Sequence, residues 1–211
     1  VCLAPDGDIF EAVRDGLATV VTDHIASFTE TGIQLKSGAH LDADLIITAT
    51  GLELVAMGQA RFEVDGKQVD FSETWSYKGI ASSGVPNLFG CFGYLNASWT
   101  LRADLISQFV CRVTNHLHEV GMRQVTPRLR ESDQDMEARN WVEGFSSGYL
   151  MRTMHLFPKQ GDRMPWLNPQ NYHKDRSMYL DDSLEDGVLE FSSPVRLLSA
   201  GSTTSGESVP G

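Results

Sequence analysis

The sequence predicts an α/β fold, and three observations predict it. Leu45, Ile46, Ile47 and Thr48 follow one another without polar alternation, the pattern of a parallel strand covered on both faces. Trp99, Ala103, Ile106, Val110, Val113 and Leu117 fall at alternating steps of four and three, the stripe of an amphipathic helix. "RFEVDGKQVDF" places alternating apolar flanks around Asp65-Gly66, a tight hairpin turn.

Taken in order, Asp6 and Asp8 precede Ile9, Phe10 and Val13, with Gly16 after them, which predicts a short helix with acidic residues at its positive end. Two paired strands follow, with turns at Thr31-Gly32 and Ser37-Gly38, and then the buried strand from Leu45. That strand ends in Ala49, Thr50 and Gly51, residues small enough for close backbone approach, with Gly51 free to take positive φ. Beyond the Asp65-Gly66 hairpin, Val85-Pro86 closes a loop, and Leu88 to Phe92 reads as a glycine-bearing strand. Ser98 is placed to cap a helix over 99–119, Trp99 to pack in its core, and Gly121 to stop it. "RLRESDQDMEARNW" reads as a loop with a short helix, and "FPKQGDRMPWLNPQNYHKD" as an extended segment wrapping a finished domain. The last residues, 191–211, have almost nothing to bury and are expected to be disordered.

With 211 residues the chain can bury a core as one large domain or two small ones. Its formal charge of −11 argues against nucleic acid as a partner, because phosphate recognition needs clustered Lys and Arg. No apolar run approaches the roughly 20 residues that span a bilayer, and no secretory leader opens the sequence, which reads as soluble and cytoplasmic. Cys2, Cys91 and Cys111 form no CxxC pair and read as reduced packing residues. His116 and His118, two apart on a helix, do not share a face, so no metal site is expected. Val1 is not an initiator Met, and the chain is expected to be truncated at its start.

An Asp-led buried strand ending in "ATG" and a glycine-bearing "LFGCFG" feeding a helix through "YLNAS" occur in this order, about 40 residues apart. With "CLAPDGDIF", "DADLIITATGL", "YKGIASSGVPNLF", "GYLNASWTLRADLISQFVCR", "PKQGDRMPW" and "NPQNY", the chain resembles the C-terminal part of the flavin-containing, Baeyer-Villiger type monooxygenases, in the group of the ethionamide-activating monooxygenase. The resemblance covers residues 1 to about 180.

The resemblance implies a portion of a Rossmann-like flavoprotein with two dinucleotide-binding domains, for FAD and NADPH, and an extended C-terminal wrap. Residues 1–51 would end the NADPH domain, 52–125 the FAD domain, and 126–190 form the wrap. Ala49, Thr50 and Gly51 would be a hinge beside the cofactors, and Asn96, Ala97, Ser98 and Trp99 would lie near the flavin ring, where a helix N-terminus favours anionic charge. The parent would use NADPH and O2 to insert oxygen into ketones or oxidise sulfur in small molecules. No GxGxxG occurs in the chain, and no residue matches the family's catalytic arginine, which would align directly before Val1. The chain alone is therefore expected to be inactive. A non-catalytic α/β binding or interaction module remains the alternative. A disulfide reductase would need a redox cysteine pair that the sequence lacks.

Overall fold

Helix α1 (Asp8–Arg14) opens the computed structural model, which describes residues 5–144 and 147–193. The chain divides into two units, Val1–Leu52 and Glu53–Gly211. In the first, β1 (Ile25–Thr29), β2 (Gly32–Leu35) and β3 (His40–Asp42) form an antiparallel meander in the order β1-β2-β3. Its register sets Phe28 against Ile33 and Ile33 against Leu41. Gly32 is required there: a Cβ on it would come within 1.9 Å of the Leu41 carbonyl oxygen.

The expected core strand at Leu45–Thr48 does not form. These residues take no regular structure, and Leu45 and Ile47 are 77% and 80% exposed. A strand covered on both faces needs hydrogen-bonded neighbours on both edges, and none of the described strands pairs with it. Leu88–Phe92, also expected as a strand, is irregular: the Gly90 N–H donates to the Ile80 carbonyl at 2.6 Å, but none of the described strands pairs with the segment.

The second unit opens with a hairpin, β4 (Glu63–Val64) and β5 (Lys67–Gln68), closed by Asp65 and Gly66, both at positive φ, as the Asp-Gly pair predicts. A second hairpin, β6 (Ser76–Tyr77) and β7 (Ala81–Ser82), carries Tyr77 and Ile80 into the core. Helix α2 runs from Trp99 to Glu119, the limits the periodicity predicts. Its buried face is Arg102, Leu105, Ile106, Phe109 and Val113, so the stripe is rotated away from Trp99, which is 49% exposed rather than a core residue.

The C-terminal third is less extended than expected. β8 (Gln124–Pro127), α3 (Gly148–Thr153) and α4 (Tyr172–Leu180) precede β9 (Leu189–Ser192), which pairs antiparallel with β8. Phe191 and Ser192, expected in a disordered tail, thus lie in a strand, and residues 194–211 fall outside the described residues. Helix α4 packs on α2, and the Phe109 and Tyr179 ring centroids stand 5.7 Å apart. Trp166, from the supposed wrap, is wholly buried and meets Tyr77 edge to face. The fold is mixed α/β with small sheets, every named strand pair being antiparallel among the described residues. No helix among these residues is long and apolar enough to cross a membrane.

Candidate functional site

Asn96, Ala97 and Ser98 form an exposed bend leading into α2. Ser98 occupies the N-cap position with extended backbone, but its hydroxyl lies 2.9 Å from the Thr100 hydroxyl and accepts nothing from the helix backbone. The N–H groups of Trp99 and Thr100 consequently have no partner among the described residues. A 21-residue helix thus begins with free donors and partial positive charge facing outward.

The bend is held from behind. Gly93 passes so close to Trp99 that a Cβ would meet the indole at 2.3 Å, which accounts for the second glycine of "FGCFG". The Phe92 ring stands edge-on to Trp99 and to Trp141, each at 4.8 Å between centroids, and Trp141 stacks on Phe157 at 5.3 Å. The Leu95 N–H donates to the Gln170 side chain at 3.1 Å, and Arg102 donates to the Phe92 carbonyl at 3.0 Å.

Phe92, Trp141 and Phe157 also wall a cavity of about 260 Å³ in the second unit, completed by Leu54, Phe71 and the β6–β7 hairpin. Among the described residues no charged side chain lines it. Sequence reading missed this cavity, because its walls come from positions 54 to 158 and no local motif marks it.

The other expected site residues, Ala49, Thr50 and Gly51, lie in the first unit, exposed in the irregular segment after β3. Gly51 does adopt positive φ, 94°, and a Cβ there would meet nothing within 4 Å among the described residues. Cys91 and Cys111, read as packing residues, are both exposed free thiols, and Cys2 lies outside the described residues.

No family model matches the chain. It is 46% identical over 203 residues to the "FAD-containing monooxygenase EthA" of Mycolicibacterium smegmatis, covering 96% of this chain and 41% of that protein. The protein of the same name from Mycobacterium tuberculosis is 47% identical over 191 residues, 90% of this chain and 38% of the relative. The "Probable FAD-binding monooxygenase AlmA" of Acinetobacter baylyi is 44% identical over 192 residues, with shares of 90% and 38%. The chain spans about two fifths of the length of these curated relatives. It is a relative of the FAD-containing monooxygenases, homologous to a C-terminal part of them.

Proposed function

We propose that the chain is a portion of an FAD- and NADPH-dependent monooxygenase of Rossmann-like, two-dinucleotide-domain architecture, which inserts oxygen into ketones or oxidises sulfur in small molecules. The observation that carries this reading is the start of α2, where unpaired N–H groups of Trp99 and Thr100 face outward beside an uncharged aromatic cavity. Bound at that end of α2, FAD would supply the O2-activating chemistry.

The residues present fit the ring of such a cofactor. Trp99 and Thr100 would donate hydrogen bonds to its electron-rich carbonyl edge, and the helix terminus would favour negative charge there. Asn96 and Ala97, exposed in the same bend, leave room for close approach. Phe92 and Trp141 would exclude water behind it. The pyrophosphate has no cradle here, since the chain has no GxGxxG, so the remaining length seen in the relatives would hold it. Ala49, Thr50 and Gly51 would form the hinge toward the NADPH side, with positive φ at Gly51 its one special requirement.

The test is an absorbance spectrum of the purified full-length protein, followed by NADPH oxidation and O2 uptake with a cyclic ketone and with a thioether. Bound flavin and formation of an ester or a sulfoxide are expected. A colourless preparation, or flavin without NADPH oxidation, would refute the reading. The 211-residue chain alone should bind FAD weakly or not at all.

A further inference from the structure

We propose that the cavity between the Phe92–Trp141–Phe157 wall and the β6–β7 hairpin binds an uncharged, mainly apolar molecule of bicyclic size, held at one point by a hydrogen bond from the Ser82 hydroxyl. Only the identification of this molecule with the oxidised substrate rests on the monooxygenase reading above; the binding itself does not.

Size, lining and one unused polar group support it. At about 260 Å³ the cavity exceeds the roughly 150 Å³ apolar cavity that takes up benzene. Among the described residues its walls contain no Asp, Glu, Lys, Arg or His, so a charged occupant such as a nucleotide phosphate would lose its hydration without compensation. Trp141 and Phe157, stacked on each other at 5.3 Å and both lining the space, add aromatic surface that suits a planar ring or an extended alkyl chain.

Two hydroxyls line the floor. Ser76 Oγ already accepts from the Trp141 indole N–H at 3.1 Å, which fixes that ring. Ser82 is 4% exposed, lines the cavity, and its hydroxyl makes no hydrogen bond to any described residue. Among the described residues Ser82 offers the one unpartnered hydroxyl of an otherwise largely apolar wall, which selects a molecule with a single acceptor, such as a carbonyl oxygen. Phe92, which walls the cavity, also packs edge-on against Trp99, so its ring stands between the cavity and the first residue of α2.

The probe is prodan, an uncharged naphthalene ketone whose emission reports both the polarity around it and hydrogen bonding to its carbonyl. Saturable binding with enhanced, blue-shifted emission is expected, together with slower alkylation of Cys91, which lines the cavity, and unchanged alkylation of Cys111. Ala81→Leu, which fills part of the space, should weaken binding about tenfold or more. Ser82→Ala should weaken it about fivefold and shift the bound emission further to the blue. Circular dichroism identifies any variant that has lost its fold, and Cys91 protection in the unaltered chain stands independently of both variants.

Absence of saturable binding, or equal binding by Ala81→Leu, overturns the proposal. So does binding by this chain that disappears in the full-length protein, which would make the cavity a packing site for polypeptide. All of these measurements are made without flavin, NADPH or turnover. Failure here therefore leaves the cofactor reading standing, and failure of the cofactor reading leaves prodan binding intact.

Discussion

Arg102 Nε and Asp175 Oδ2 pair at 3.0 Å with both side chains wholly excluded from solvent. The rest of the guanidinium is also used. Nη1 donates to the Phe92 carbonyl, and Nη2 to Asn168 Oδ1 at 2.7 Å and to the Tyr179 hydroxyl at 3.0 Å. Tyr179 in turn donates to the Lys78 carbonyl at 2.7 Å. One side chain from the first turn of α2 thus ties the bend before that helix to the 160–180 segment. The cost of burying Asp175 pushes its carboxyl up, and the Arg102 charge opposes that shift.

Breaking this pair from one side leaves an uncompensated buried charge. Arg102→Lys keeps the charge but cannot reproduce the planar fork, and should destabilise by about 3 kcal/mol or more. Arg102→Met should cost at least as much, whereas the double variant Arg102→Met with Asp175→Leu should cost less than Arg102→Met alone, because it strands no charge. Urea midpoints at unchanged slope measure this. A double variant as unstable as the sum of its parts would refute the coupling.

Gly79 faces the same network from the β6–β7 turn. Its φ is 75°, and a Cβ would stand 2.5 Å from Asn168 Oδ1 and 2.8 Å from Arg102 Nη2. Gly79→Ala should therefore cost more than the roughly 1 kcal/mol of left-handed strain alone. Gly51→Ala is the control, since Gly51 also has positive φ but open space around it, and only the strain should appear. Equal losses at the two sites would show that the contacts at Gly79 relax freely.

Asp133 supplies a pH test. Burial raises its pKa, but hydrogen bonds from Arg130 and the Trp166 indole, with the Arg130 charge, more than offset this and hold the carboxyl below its ordinary range. A depressed folded pKa means that the stabilisation is complete above the unfolded value of about 3.9 and is lost as pH falls through the lower folded value. Urea midpoints taken downward from about pH 6 should fall through this window, and Asp133→Asn should start lower and fall less steeply. Parallel curves for the two proteins would assign acid sensitivity to other carboxylates.

What the sequence made legible was local. The limits of α2 follow from an unbroken 3.6-residue pattern ending at Gly121, whose φ is 68°, and the β4–β5 hairpin follows from Asp65-Gly66. Where burial depends on distant partners, the reading failed. Arg102 is separated from Asn168, Asp175 and Tyr179 by 66, 73 and 77 residues, and nothing in "TLRADL" distinguishes a buried arginine from a solvated one. Leu45–Thr48 misled for the converse reason: an apolar run states a need for cover, while the cover must come from elsewhere. The start of α2 lay between these cases, its position legible and its cap misread.

That misreading gives a direct comparison between two helix starts. Asn171, the N-cap of α4, accepts from the Lys174 N–H at 3.1 Å, so Asn171→Ala should cost about 1 kcal/mol, the usual value of a side-chain cap. Ser98 holds the same position on α2 but bonds only the Thr100 hydroxyl, which is exposed to water, so Ser98→Ala should cost less than about 0.5 kcal/mol. The longer helix would then be the one less dependent on its cap, being anchored instead through Arg102 and its buried face. Urea unfolding of the two variants side by side decides the matter. A loss at Ser98 equal to that at Asn171 would mean that the serine hydroxyl turns to the helix backbone in solution, occupying the N–H groups assigned above to a cofactor and weakening the case for a ring bound at that end of α2.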